Sequence, residues 1–176
     1  MAVLKRAKQL AAQGTALFSS PALGVFIHES LDRAKFFADE AILGQFCELD
    51  DSDILSALKV WQHHEDFVLR ELSRRIIHRD LFRIELRPEA YTEDETAMLT
   101  NRVSAQWNIS AEEAAYFVIN NRIENNLYSA GGIQIQFKNG QISDFADASD
   151  QLSREILMRT VAKSFVCYPK ELVLTA

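Results

Sequence analysis

Long apolar runs are absent from this chain: none reaches the roughly 18 residues that a membrane-spanning helix needs. The opening stretch MAVLKRAKQLAAQG has basic residues but no unbroken apolar core, so it does not read as a secretory signal. Cysteine is nearly absent too. Cys47 and Cys167 stand far apart without a CxxC pattern, which argues against a disulfide or a thiolate zinc site and predicts two buried free thiols in a reducing compartment. An excess of positive charge is also missing, since 19 basic residues face 25 acidic ones for a net charge of −6. A sequence-independent nucleic-acid binder needs a basic surface, so bulk DNA or RNA binding is disfavoured unless a local patch supplies one. There is no GxSxG, P-loop or GxGxxG, and neither cysteine lies beside a histidine or at a helix start. Internal repeats and low-complexity linkers are lacking. The expected compartment is the cytoplasm, with no membrane partner.

What is present is an ordinary globular composition, 48% hydrophobic and 25% charged over 176 residues, enough for one compact domain or a core with a small appendage. Leu4, Ala7, Leu10 and Ala11 predict a helix stopped at Gly14. It begins without a cap residue, as a helix cut from a longer chain would. Ser19-Ser20-Pro21 opens a short helix through Ile27. Leu31 to Phe46 reads as one or two short helices. Asp50-Asp51-Ser52 starts a stronger one, with Ile54, Leu55, Leu58 and Trp61 at core spacing. His63-His64-Glu65 ends it, and Asp66 caps a further helix with Phe67, Leu69, Leu72 and Ile76 on its apolar face. Leu81 to Leu86 alternates as a half-buried strand that Pro88 ends.

Thr92 and Glu95 form a capping box for a helix reaching Trp107. Ser110 and Glu113 suggest another, although Tyr116 to Ile119 reads as strand and Asn120 to Gly132 as loop. Ile133, Ile135 and Phe137 alternate up to Asn139-Gly140, the strongest hairpin signal in the chain. Ala148-Ser149-Asp150 caps a helix carrying Ile156, Leu157 and Val161, and Ser164 to Tyr168 is a last strand closed by Pro169. The class is α+β, with a helical N-terminal half and a small mixed or antiparallel sheet with helices in the C-terminal half.

Two clusters invite a chemical reading. His63-His64-Glu65-Asp66 concentrates metal-ligand types, but adjacent histidines on a helix point about 100° apart and do not converge on one ion. Pairs such as Asp50-Asp51 and Glu112-Glu113 are explained by helix N-termini. No catalytic and no metal-binding residue is assigned. The second cluster is an arginine stripe. Arg70, Arg74 and His78 share a helix face at i, i+4, i+8, with Arg75 and Arg79 on the neighbouring ridge. Five arginines between positions 66 and 83 oppose Asp66, Glu71 and Asp80, a local excess of positive charge inside an acidic chain. Guanidinium groups in a row suit polyphosphate, because each donates two parallel bonds to phosphate oxygens. The alternative is pairing within the helix, Asp66 with Arg70 and Glu71 with Arg75.

The run Leu49-Asp50-Asp51-Ser52-Asp53-Ile54, then Arg70, Arg74 and Arg79-Asp80-Leu81-Phe82-Arg83, resembles the C-terminal part of HD-domain phosphohydrolases. That group includes bacterial dGTPase-like proteins and the vertebrate dNTP triphosphohydrolase with a sterile-alpha-motif domain. Tyr116-Phe117-Val118, the Asn139-Gly140 hairpin, Ala148-Ser149-Asp150 and Cys167-Tyr168-Pro169-Lys170 extend the likeness, towards the bacterial branch, over nearly the whole chain. The family's metal site needs a His-Asp dyad, and this chain has no His-Asp dipeptide. The resemblance therefore implies a piece that follows an HD catalytic core: residues 1–80 a helical segment and 81–176 a C-terminal α+β unit. It implies no cofactor on this chain, a metal-dependent parent, a homo-oligomer as partner, and a dNTP or GTP effector whose phosphates meet Arg70 and Arg74. The competing reading is a free-standing protein-interaction module without a nucleotide role. An independent enzyme built on the histidine pair ranks third.

Overall fold

Polar caps set where the helices begin. The structure, a computed structural model, describes residues 2–126, 133–145 and 160–172, and it is α+β as expected. Helix α1 spans Ala2–Ala12, α2 Pro21–His28, α3 Arg33–Ala38, α4 Glu40–Glu48, α5 Asp51–Trp61 and α6 Phe67–Ile77. Ser20, Asp32, Asp39, Asp50 and Asp66 each accept a bond from a backbone N–H in the first turn of the helix they precede. Capping boxes close on Asp50 with Asp53, on Thr92 with Glu95 at the head of α7 (Glu93–Trp107), and on Ser110 with Glu113 before α8 (Ala111–Ala114).

The ends of α1, α6 and α7 are equally regular. Gly14, Arg79 and Asn108 all sit in the left-handed region, at φ of 87°, 56° and 51°. After each of them a backbone N–H reaches back five residues: Thr15 to Leu10, Asp80 to Arg75, and Ile109 to Ser104. That is the Schellman end, which favours glycine because a Cβ is strained there. At Arg79 a bulky residue accepts the strain.

Two compact units result, one of residues up to 83, 97–119 and 168 onward, the other of 84–96 and 120–167. Residues 97–119 return to the first unit because Trp107 and Phe117 pack edge-on at 4.8 Å, with Phe67 of α6 5.5 Å from Trp107. Val68, Leu69, Val103 and Phe117 are almost wholly buried there, each contributing about 1.5–3 kcal/mol of transfer free energy. Trp61 is buried with its indole N–H donating to the Phe18 carbonyl at 3.0 Å, so no polar atom is stranded.

Several expected faces are rotated. Ala57, Leu58 and Trp61 are the buried residues of α5, while Leu55 is 47% exposed. On α6 the buried set is Val68, Leu69, Leu72, Ser73 and Arg75, and Ile76 faces outward. The buried stripe includes a serine and an arginine, which a hydrophobic pattern does not register. Leu31 to Phe46 resolves into α3 and α4, which between them bury only Ile42. Cys47, on α4, is exposed rather than buried; Cys167 is half-buried, and burial pushes its thiol above the ordinary range. Both are free thiols.

The second unit holds the strands. Strands β1 (Arg83–Arg87), β2 (Ile119–Asn126) and β5 (Thr160–Tyr168) form a sheet in the order β1-β5-β2. Strand β1 begins two residues later than the alternation indicated. Its apolar residues Ile84 and Leu86 are the exposed ones, and Glu85 and Arg87 the more covered. Arg87 explains this, because its guanidinium lies 3.8 Å from the Tyr91 ring centre and grips both oxygens of Glu95. Tyr116 and Phe117 belong to a 3-10 turn, Ala115–Phe117, since the Ser110 capping box starts a helix that runs on through them. Strand β2 occupies the first part of the expected loop. Ile119 to Glu124 are all exposed, so their polar composition is that of a solvated edge strand.

Strands β3 (Gln134–Gln136) and β4 (Ile142–Asp144) pair antiparallel, Ile135 opposite Ser143. Gly140 takes φ 84°, and its N–H bonds to the Phe137 carbonyl while the Phe137 N–H bonds to Gln141. The hairpin is where Asn139-Gly140 placed it, with a three-residue loop instead of a two-residue turn. The helix expected after Ala148-Ser149-Asp150 lies outside the described residues.

Candidate functional site

Helix α6 carries the candidate phosphate contacts, and its starting point is fixed twice. The Asp66 side chain caps the Leu69 N–H at 2.8 Å, and the Arg6 guanidinium of α1 clamps both of its oxygens. Burial pushes the Asp66 carboxyl up, but the Arg6 and Leu69 bonds outweigh it and hold it below its ordinary value. Arg6 has therefore taken the carboxylate that the helical spacing offered to Arg70.

Arg70 turns instead to the end of the preceding turn. Its Nη1 donates to the carbonyls of His64 and Glu65, both at 2.9 Å, and the guanidinium lies over the Phe67 ring at 5.6 Å. Those carbonyls satisfy one nitrogen. Nε and Nη2 of Arg70 make no hydrogen bond among the described residues, so the edge suited to a bidentate oxyanion is unused. Arg74 is more engaged. Its Nε and Nη2 bind Glu71 at 2.9 and 2.7 Å, and Nη2 reaches Asp80 at 3.2 Å. Glu71 keeps the Arg74 guanidinium protonated far above its ordinary value, and Nη1 is the nitrogen left over.

Arg75 does not share the exposed ridge. It is 5% exposed and packed between Phe82 and Trp107, 5.5 Å from each ring centre. Its Nε donates to Glu71 at 2.8 Å, the i, i+4 pair that spacing indicated, and its Nη2 donates to Glu171 at 2.8 Å. Its Nη1 is 3.6 Å from Asp80, close enough for attraction but not for a hydrogen bond. Lys170 closes the cluster on the other oxygen of Asp80. Arg74, Arg75 and Lys170 thus face Glu71, Asp80 and Glu171, three charges of each sign. Lys170 and Glu171 add one charge of each sign, so the cluster itself is balanced and the positive excess read from the stretch lies outside it. Arg70 and the exposed Arg79, which has no ion pair among the described residues, are part of that excess.

The histidine cluster does other work. His64 Nδ1 accepts the Asp66 N–H at 2.9 Å, which consumes a ligand nitrogen in a turn. Among the described residues no group of three or more His, Cys, Asp or Glu side chains is placed to hold a metal ion. A shallow groove of about 460 Å³ beside α1 is lined by Lys5, Gln9, Glu112 and Tyr116 and by none of the arginines. Three of its side chains are engaged with one another, Tyr116 donating to Gln9 at 2.7 Å and Gln9 to Glu112 at 3.3 Å. Sequence spacing named Arg70 and Arg74 but missed Arg6 and Glu171, because neither has a near-neighbour in sequence to mark its partner.

Comparison with known proteins gives the arrangement a context. No family model matches the chain. It is similar to the crystal structure of a phosphohydrolase from Bacteroides thetaiotaomicron, with 41% identity and a TM-score of 0.82 over 95% of this chain and 42% of that one. It is also 26% identical, over 97% of its length, to YwfO, an uncharacterised protein of Bacillus subtilis strain 168, of which it covers 38%. The chain spans about two-fifths of the length of these relatives.

Proposed function

We propose that this chain is the non-catalytic, C-terminal part of an HD-superfamily (deoxy)nucleotide phosphohydrolase, serving self-association and nucleotide-dependent regulation. The observation that carries the reading is the match to a phosphohydrolase over 95% of this chain but only 42% of the other. Most of the relative, with room for a metal-dependent core, falls outside the shared region. The lack of a His-Asp dipeptide in this chain fits the same division of labour.

Within that reading Arg70 is the principal phosphate contact and Arg74 the secondary one. Arg70 presents an unused Nε/Nη2 edge at the chain turn before α6, whereas Arg74 offers a single nitrogen. The effector is a dNTP or GTP, recognised through its polyphosphate. The experiment is hydrolysis of dGTP by the purified chain with Mg²⁺ or Mn²⁺, following release of phosphate and triphosphate. No turnover is expected. Turnover that disappears in His64→Ala would place the chemistry on this chain and overturn the reading. A second reading, an interaction module with no nucleotide role, is favoured by one observation: Glu71, Asp80 and Glu171 already occupy Arg74 and Arg75.

A further inference from the structure

Each carboxylate that holds Arg74 has a second cation. The two oxygens of Glu71 take the Nε and Nη2 edge of Arg74 at 2.9 and 2.7 Å, the edge on which a guanidinium receives a phosphate. Glu71 Oε1 also accepts the Arg75 Nε–H at 2.8 Å. Asp80, 3.2 Å from Arg74 Nη2, is bound through its other oxygen to Lys170. An uncompensated buried charge is what makes most such pairs hard to open, and withdrawing Arg74 creates none. The exposures agree. Arg74 sits at the rim of the cluster, 39% exposed, whereas Glu71 is 15% and Arg75 5% exposed.

The same withdrawal would satisfy a donor that is unmet while Arg74 is held. Arg75 Nη1 is buried, makes no hydrogen bond among the described residues, and lies 3.6 Å from Asp80 Oδ2. That oxygen is the one drawn towards Arg74 Nη2. Freed from Arg74, it needs to move only about half an ångström to accept from Arg75 within ordinary hydrogen-bond range. A buried donor without an acceptor is destabilising, so meeting it offsets part of what the loss of Arg74 removes. The acids thus have two arrangements, one with Arg74 held and one with Arg74 free. An oxyanion that binds Arg74 biases the second.

We propose that Glu71 is an intramolecular competitor for polyphosphate, holding Arg74 until a more highly charged ligand takes its place and leaves Glu71 to Arg75. This role deepens the nucleotide reading above and rests on it. Arg70 is the permanent half of the site, because its Nη1 is tied to the backbone carbonyls of His64 and Glu65 rather than to an acid. Arg74, one helical turn on with its Cβ about 5–6 Å away, is the conditional half. A single phosphoryl group is satisfied by Arg70, while a chain of three reaches both.

Isothermal titration with inorganic tripolyphosphate and with dGTP at low ionic strength tests the competition. Wild type, Glu71→Gln, Arg74→Ala and the double variant are compared, with circular dichroism to verify folding. Glu71→Gln is expected to tighten binding about three- to tenfold, and that gain to vanish when Arg74 is absent. A gain of equal size in the Arg74→Ala background is plain removal of negative charge and overturns the role of Glu71, as does no gain at all. In either case binding by wild type leaves the nucleotide reading standing. In wild type the Arg74 Nε–H resonance is expected to shift on saturation with tripolyphosphate while that of Arg75 holds. An unmoved Arg74 signal at saturation overturns the exchange whether or not the variants fold. Saturable binding by neither wild type nor Glu71→Gln overturns both readings.

Discussion

Replacing Arg75 with methionine isolates the buried ion cluster better than any other single change. Methionine keeps an unbranched side chain between Phe82 and Trp107, so the perturbation is mainly the removal of charge. The guanidinium holds Glu71 and Glu171 at 2.8 Å each and approaches Asp80 at 3.6 Å, while being 5% exposed itself. Breaking a buried ion pair by removing one partner costs about 3–5 kcal/mol. That figure is lowered here because Glu71 retains Arg74, Asp80 retains Lys170, and Glu171 is 38% exposed. Loss of attraction to two aromatic rings adds back about 1 kcal/mol. The expected destabilisation is about 2–4 kcal/mol, which lowers the urea midpoint by about 1–2 M for a protein of this size.

Acid should erase part of the difference. Burial pushes the Glu71 carboxyl up, but Arg74 and Arg75 overcome it and hold it below its ordinary 4.5; Lys170 and Arg74 do the same for Asp80. A carboxyl depressed in the folded state stabilises above its unfolded value and loses that contribution as pH falls through the folded one. The gap between wild type and Arg75→Met is therefore full at pH 7 and narrows below about pH 4. A loss under about 1 kcal/mol at pH 7, or a gap that widens in acid, would refute the account of the cluster.

Asp66→Asn keeps a capping acceptor but removes the charge that Arg6 clamps, so urea denaturation should show a loss of about 1–3 kcal/mol, and Asp66→Ala a larger loss because the cap goes too. Arg79→Gly relieves the left-handed strain after α6 and should raise stability by about 0.5–1 kcal/mol in the same assay. Glu95, gripped by Arg87 and bonded to the Thr92 N–H, should titrate at about 2 by carboxyl-detected NMR and return towards 4.5 in Arg87→Gln.

Helix beginnings were legible because a cap is a local event: Ser20, Asp50, Asp66, Thr92 and Ser110 each bond within three residues of themselves. The orientation of α6 was not, because its inward face includes Ser73 and Arg75 and the arginine is stabilised by Glu171, distant in sequence. Strand β2 escaped notice for a related reason, since an edge strand with Ile119 to Glu124 all exposed carries no alternation of apolar and polar residues. In the candidate site, spacing grouped Arg70 with Arg74 and Arg75 but could not rank them. The ranking comes from which carboxylates reach each guanidinium, and that is decided by tertiary packing.

Isothermal titration of the purified chain with dGTP at low ionic strength tests the regulatory reading most directly. A saturable heat is expected, weakened at least about tenfold by Arg70→Ala and only modestly by Arg74→Ala. No saturable binding up to about 1 mM, or wild-type affinity in Arg70→Ala, would contradict the claim that this helix face receives a nucleotide's phosphates.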